Sequence, residues 1–292
     1  MAILKYGIIG HPVSHSLSPA MQNAAFHALG IDAEYSAYDV EAAGLEEFLS
    51  SLVRNKIAGL NVTIPHKIKA KEYIESNGEL DQNASRLGAV NTIKVGDSGR
   101  LRGFNTDGPG FYRSLVEDLK FEPEGREVFV LGAGGASRAV IMYLGNAPKK
   151  ITVWDIDKSK TEGLREHYAK FYDAKRLAVT DEEGFKAALE RGGLLVNATP
   201  VGMMKTDPSP IDKALLHPGL RVYDLVYNRP LTALVKEANS KKCHAVSGLG
   251  MLLYQGAIAF EIWTGKQAPM AVMRKALREA LRSNQVRSGS DN

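Results

Sequence analysis

The chain has 292 residues, 44% of them hydrophobic and 24% charged, with a formal net charge of +4. That length suits two domains of ordinary size or one large one, and the balance is that of a globular chain with enough apolar material for a core. It excludes a helical membrane protein, because no run reaches the roughly 18 to 20 apolar residues a span needs, and a charge this mild and scattered does not point to nucleic acid. One cysteine, Cys243, leaves no internal disulfide and no cysteine-rich zinc site. No metal is expected from the histidines, and the cytoplasm is the expected location.

The opening MAILKYGIIG reads as a first strand rather than a signal peptide. In HPVSHSLSPAMQNAAFHALG, Ser18 suits a helix N-cap, Pro19 the first helical position and Gly30 the stop. EYSAYDV alternates like a strand, residues 44–55 read as helix, and GLNVTIP is a strand halted by Pro65. Residues 65–74 read as helix, AVNTIKV as strand, DSGR as a tight turn, and FNTDGPGFYRSLVEDL as the start of another helix capped by Thr106 or Asp107. FEPEG reads as a linker.

Beyond it the pattern changes. REVFVLGAGGASRAVIMYL carries a buried apolar strand into a glycine turn and a helix. Strands follow at KITVWDID, GGLLVNATP and LRVYDLVYN, with a weaker one at KRLAV, separated by helical patterns at SKTEGLREHYAKFY, DEEGFKAALE and LTALVKEAN. Such alternation implies a parallel sheet covered on both faces. GLGMLLYQGAIAFEIWTG and PMAVMRKALREALRS read as two further helices that return to the first domain, and the end NQVRSGSDN, lacking periodicity, reads as disordered. The expected fold class is α/β: an N-terminal α/β substrate domain over 1–107, completed by 247–282, a Rossmann-type doubly wound dinucleotide-binding domain over 108–246, and a disordered tail at 283–292.

VLGAGGASRA carries the strongest single signal. Gly132, Ala133, Gly134, Gly135 and Ala136 lie between an apolar strand and a helix, where side-chain-free backbone can approach a pyrophosphate and free helix N–H groups can receive it. Ser137 replaces the usual last glycine or alanine. About 23 residues past Gly132, Asp155 stands where a carboxylate would accept the adenosine ribose hydroxyls, with Asp157 close behind. That favours NAD over NADP. The plainer reading is that Asp155 caps the following helix.

Polar residues cluster at strand ends in the first domain: Ser16 and Ser18 in SHSLSP, Asn61, Thr63 and Lys67 in NVTIPHK, Asn91 in GAVNTI, Asp107 in NTDGPG. Taken singly each has a plain alternative as a cap, a turn residue or a solvated lysine. Their joint occurrence before a dinucleotide domain suggests a substrate site, since ligands of open α/β sheets sit outside the carboxyl ends of the strands.

The ordered set SHSLSP, NVTIPHK, GAVNTI, NTDGPG, VLGAGGASRA, NATPVGM, YDLVYN and GLGMLLYQGAIAFEIW resembles the shikimate dehydrogenase family over nearly the whole chain, to about residue 282. The resemblance implies reversible hydride transfer between shikimate and 3-dehydroshikimate, in the pathway to the aromatic amino acids. It implies that Ser16, Ser18 and Tyr227 bind the substrate carboxylate, that Asn61, Thr63, Asn91, Asp107 and Gln255 bind ring hydroxyls, and that Lys67 and Asp107 are the catalytic pair. Thr199, Val226 and Gly250 would line the nicotinamide pocket. Two serines around Leu17 favour shikimate over quinate. NADP-dependent members carry Asn-Arg-Thr where this chain has Asp155, Ile156 and Asp157, so NAD is the preferred cofactor and NADP the alternative. A quinate or dual quinate/shikimate enzyme remains open, as, more remotely, does a non-catalytic nucleotide-binding sensor. The expected partner is the small-molecule substrate, without nucleic acid or membrane, in a monomer or homodimer.

Overall fold

A computed structural model describes residues 3–229 and 231–289. The chain forms two compact units, one of residues up to Thr106 together with those from Gln255 onward, the other of Asp107–Tyr254.

The first unit begins with β1 (Leu4–Gly10), α1 (Ser18–Ala28), β2 (Ala33–Asp39), α2 (Leu45–Ser50), β3 (Ile57–Val62), α3 (Lys67–Asn77), β4 (Gly78–Leu80), α4 (Gln82–Leu87), β5 (Thr92–Val95) and β6 (Leu101–Phe104). Its six strands form one sheet in the order β2-β1-β3-β5-β6-β4. β1 runs parallel to β2 and β3, whereas β5 is antiparallel to both β3 and β6. β1 lies between two partners, which is why its last five residues are all buried and its sequence is apolar without alternation. Ile9, Leu49, Leu60, Val62, Ile74 and Ile93 form the core on one face.

Several local expectations differ from the structure. Ser18 is the first residue of α1 rather than its cap; Leu17 holds the cap position and makes no side-chain bond, because Pro19 already presets the first turn. α2 stops at Ser50 rather than near 55, where the Ser50 and Ser51 hydroxyls bond back to the carbonyls of Glu47 and Phe48 and the chain turns towards β3. The DSGR turn is present, with Gly99 at φ +78°, but it returns into β6, whose four residues LRGF carry too little alternation to announce a strand. α4 has a clear cap, Asp81 Oδ1 accepting the N–H of Ala84 at 2.7 Å, and a left-handed Gly88 at its end, yet it spans too few residues to show a period.

The second unit contains α5 (Asp107–Glu117), β7 (Glu127–Leu131), α6 (Gly135–Leu144), β8 (Lys150–Trp154), α7 (Lys158–Ala169), β9 (Leu177–Val179), α8 (Glu182–Leu189), β10 (Gly193–Asn197), β11 (Leu220–Asp224), α9 (Ala233–Ser240) and β12 (His244–Ser247). All six strands are parallel, in the order β12-β11-β10-β7-β8-β9. Counted from β7, this is the 3-2-1-4-5-6 order of the dinucleotide-binding fold, with the strand order reversing at β7 and β10, where such folds hold their ligand. Phe129, Leu195, Val222 and Leu220 meet Phe185 of α8 and Leu234 of α9 in one core cluster.

α10 (Leu249–Thr264) runs from the second unit into the first, and α11 (Met270–Gly289) follows. In the first unit α11 packs on α1. Gln22 Nε2 donates to the Gly256 carbonyl at 2.9 Å, and Trp263 Nε1 to that of Ile93 at 2.9 Å. These bonds make the C-terminal helices part of the first unit. The tail expected to be disordered is helical as far as Gly289, because no proline or glycine interrupts the helix before that point and extending an existing helix costs little. Residues 290–292 of that tail lie outside the described residues.

Candidate functional site

The C-terminal ends of β3 and β6 and the start of β5 gather polar side chains in the first unit. Asn61, the penultimate residue of β3, is 4% exposed, and Asn91 is 2% exposed. Asn61 Nδ2 donates to Thr92 Oγ1 at 3.1 Å and to the Asn91 carbonyl at 3.3 Å. Thr92 Oγ1 donates to Asn91 Oδ1 at 3.0 Å, and that oxygen also accepts the N–H of Thr106 at 2.8 Å. Asn91 Nδ2 donates to Thr106 Oγ1 at 3.0 Å, whose hydroxyl reaches Gln255 Oε1 at 3.5 Å. Asn61, Asn91 and Gln255 are therefore joined into one row through Thr92 and Thr106. Buried polar groups persist only when bonded in this way.

The row continues behind Asn61. Tyr35 donates its phenolic hydrogen to Asn61 Oδ1 at 2.7 Å. Burial pushes the Tyr35 phenol well above its ordinary range, an effect offset in part by a hydrogen bond from the Ser18 side chain. Ser18 is 2% exposed, and its N–H donates to Ser16 Oγ at 3.2 Å. Thr63 follows β3 directly, its N–H bonded to the Ile9 carbonyl at 2.9 Å, and Lys67 opens α3 after the turn closed by His66 N–H on the Thr63 carbonyl. Tyr35 and Thr92 were not flagged by the sequence, and Thr106 was read only as a candidate helix cap. Thr92 and Thr106 adjoin flagged residues inside GAVNTI and NTDGPG, whereas a tyrosine in a strand reads as core.

In the second unit Asp107 is the first residue of α5. The glycine turn lies between β7 and α6. Gly132 has φ +98°, and a Cβ there would come within 3.1 Å of the Ala198 carbonyl and Thr199 Cγ2, so only glycine lets the turn pass the end of β10. A Cβ on Gly134 or Gly135 would meet nothing within 4 Å, which leaves their backbone accessible. α6 has no side-chain cap at Gly134, so its first-turn N–H groups have no such acceptor. Beside them, the Ser137 hydroxyl and Arg138 Nε are buried with no hydrogen-bond partner among the described residues, and burial lowers the pKa of the Arg138 guanidinium. This donor set fits the pyrophosphate of a dinucleotide.

Asp155 follows β8. One carboxylate oxygen accepts the Ala133 N–H at 2.7 Å and the other that of Asp157 at 2.8 Å. The cap of α7 is Asp157, which accepts the Ser159 N–H at 3.0 Å. Asp155 therefore fastens the glycine turn to the end of β8 and is not a helix cap. Ile156 between them is 89% exposed.

Thr199 and Val226 are tied to each other through buried groups. The Thr199 hydroxyl donates to Asn197 Oδ1 at 2.7 Å, Asn197 Nδ2 donates to Asp224 Oδ1 at 2.8 Å, and that oxygen accepts the Val226 N–H at 3.2 Å. Gly250 is fixed by packing: a Cβ there would overlap Ser114 Oγ and Asp118 Oδ2 on the α5 side. Tyr227 is 42% exposed. Among the described residues no group of three or more His, Cys, Asp or Glu side chains could hold a metal ion, and no helix is long and apolar enough to cross a membrane.

Residues 8–93 match the model of the shikimate dehydrogenase substrate binding domain, and residues 248–278 that of the shikimate 5'-dehydrogenase C-terminal domain. The shikimate dehydrogenase (NADP(+)) of Methanopyrus kandleri is 45% identical over 280 residues, covering 94% of this chain and 95% of that protein. The chain belongs to the shikimate dehydrogenase family. The crystal structure of shikimate 5-dehydrogenase from Listeria monocytogenes in complex with shikimate and NAD superposes with a TM-score of 0.86 at 32% identity, covering 94% of this chain and 96% of that one. The Thermus thermophilus enzyme in complex with NADP(H) and shikimate gives 0.81 at 36% identity, covering 95% and 99%. Family membership accounts for the paired architecture, a six-stranded mixed sheet in one unit and a six-stranded parallel sheet bearing the glycine turn in the other.

Proposed function

We propose that this chain interconverts shikimate and 3-dehydroshikimate with a nicotinamide dinucleotide. The observation that carries the reading is the buried polar row of the first unit, a fixed set of amides and hydroxyls suited to a polyhydroxylated ring, in a chain whose second unit presents an open glycine turn. When bound, the dinucleotide supplies or accepts the hydride at nicotinamide C4. Gly132 to Ala136 hold its pyrophosphate, and Thr199, Val226 and Gly250 border its nicotinamide.

Ser16, Ser18 and Tyr227 bind the substrate carboxylate, while Asn61, Thr63, Asn91 and Gln255 orient the ring through its hydroxyls. Lys67 handles the proton at the reacting oxygen, taking it as the alcohol is oxidised and returning it as the ketone is reduced. Asp107 accepts a hydrogen bond from the neighbouring hydroxyl. The substrate domain takes residues 1–107 and 247–282 and the dinucleotide domain 108–246, a division that differs from the compact units in placing Asp107 and residues 247–254 with the first.

NAD is the proposed cofactor. Asp155 and Asp157 place two carboxylates at the end of β8, and the residue between them, Ile156, offers a 2'-phosphate no cation. The name of the Methanopyrus relative carries NADP(+), which makes the end of β8 the place where this chain would depart from it. Shikimate is preferred to quinate on the second serine, Ser18. An initial-rate assay crossing shikimate and quinate with NAD and NADP tests each part. The expected result is the highest kcat/KM for shikimate with NAD. A preference of tenfold or more for NADP would defeat the argument from Asp155, and a higher kcat/KM for quinate that from Ser18.

A further inference from the structure

We propose that Tyr35 is a positioning residue for substrate recognition: from behind Asn61, whose two amide hydrogens are already bonded inside the protein, it fills one lone pair of Oδ1 and leaves a single acceptor site for the substrate. The proposal rests on the reading that Asn61 binds a ring hydroxyl.

Tyr35 is the one buried residue of β2, an edge strand otherwise half-buried or exposed. Four contacts hold it, one of them the hydrogen bond from the Ser18 side chain. The Asn23 side chain clasps its backbone, Nδ2 donating to the Tyr35 carbonyl at 2.9 Å and Oδ1 accepting the Tyr35 N–H at 2.8 Å. Its ring lies 6.0 Å from that of Trp263, centre to centre. Its hydroxyl donates to Asn61 Oδ1 at 2.7 Å. The clasp satisfies the outward backbone groups of a buried edge position, and together with the ring contact it holds the phenol in one place.

The consequence follows from donor and acceptor inventory. A primary amide has two hydrogens and two carbonyl lone pairs. Both Asn61 hydrogens point into the protein, at Thr92 Oγ1 and the Asn91 carbonyl. One lone pair of Oδ1 takes the Tyr35 hydrogen, so a second lone pair is what Asn61 can still offer. Flipping the amide would turn Oδ1 against the Asn91 carbonyl, acceptor on acceptor. The substrate hydroxyl at Asn61 must therefore donate, which sets the direction of its hydrogen bond before binding. Preset polarity of this kind reduces the ordering needed on binding.

Tyr35→Phe keeps the ring and removes only the hydroxyl. The expected result is a rise of about 5- to 20-fold in KM for shikimate, the effect of leaving Asn61 Oδ1 one buried hydrogen bond short, with kcat and the KM for the dinucleotide within about twofold. In an Asn61→Ala background the same change should add less than about twofold, because the amide through which Tyr35 acts is gone. Asn23→Ala, which releases the clasp on the Tyr35 backbone, should raise the same KM and serves if Tyr35→Phe does not fold. A purely structural Tyr35 would lower the melting temperature and leave KM for shikimate unchanged, and that result overturns the proposal while the role of Asn61 stands. A full, independent effect of Tyr35→Phe in the Asn61→Ala background overturns it too. An unchanged KM in Asn61→Ala itself removes the reading of Asn61 as a substrate ligand, and the proposal with it.

Discussion

The carboxylate of Asp155 bridges two backbone N–H groups, those of Ala133 in the glycine turn at 2.7 Å and Asp157 at 2.8 Å. A carboxylate oxygen has two lone pairs, so each can hold its backbone donor and still accept a ribose hydroxyl. Asp155→Ala should therefore act twice, by removing a ribose acceptor and by releasing the turn that faces the pyrophosphate. We expect KM for NAD to rise at least about tenfold, since hydrogen bonds to charged groups contribute about 1.5–3 kcal/mol, with a smaller change in KM for shikimate. Initial rates at saturating shikimate measure it. Equal KM values for NAD in the variant and the parent would leave Asp155 with no part in cofactor binding.

Asp224 is fully buried at the end of β11, where Oδ1 accepts from Asn197 Nδ2 and Val226 N–H and Oδ2 from the Thr232 hydroxyl at 2.5 Å. Burial outweighs these bonds and raises its carboxyl above the ordinary range. A carboxyl raised on folding contributes stability that is complete below its unfolded pKa, about 3.9, and is lost as pH climbs through the folded value. Asp224→Asn cannot ionise. Its melting temperature relative to the parent should therefore improve between about pH 3.5 and pH 7. A difference in melting temperature that stays flat across that range contradicts the assignment.

The second unit was largely legible in the sequence, because a parallel sheet buried on both faces writes its strands as apolar runs such as EVFVL and GLLVN, and a glycine turn between strand and helix has few other uses. The first unit was less so. β4 and β6 are three and four residues long, and short strands near glycines carry no period. At the site, Asn61, Asn91 and Gln255, each from a different motif, are linked within the first unit. The side chains that orient them were hidden. Tyr35 and Thr106 act through a single hydroxyl each, in contexts where tyrosine reads as core and threonine as a cap. Asp155 and Asp157 exchanged one of their readings: the helix cap fell to Asp157.

Ser16 and Ser18 offer two hydroxyls after β1, with the Ser18 N–H donating to Ser16 Oγ at 3.2 Å. Hydroxyls on a carboxylate that takes no part in the reaction bind ground state and transition state alike, so their loss should appear in KM and leave kcat nearly unchanged. Ser16→Ala is expected to raise KM for shikimate about tenfold with kcat within about threefold. A large fall in kcat at constant KM would show that this end of the substrate is coupled to the reacting centre.

Lys67 opens α3 immediately after the turn at Thr63–His66, and its own carbonyl accepts the Val90 N–H at 2.9 Å, so the backbone that carries the ammonium is fixed to the segment leading into Asn91. A lysine solvated on a helix surface would tolerate alanine, since surface substitutions of that kind usually stay within about 0.5 kcal/mol. A lysine that moves the proton of the reacting hydroxyl would not. Lys67→Ala should lower kcat at least about 100-fold, within the range for loss of an acid/base group, while KM for shikimate changes only a few-fold and the fold is retained by circular dichroism. Lys67→Arg keeps the charge but holds its proton too firmly to exchange it at neutral pH, so it should restore KM without restoring kcat. Near-parental turnover in Lys67→Ala would take this residue out of the chemistry, and full turnover in Lys67→Arg would reduce its role to charge alone.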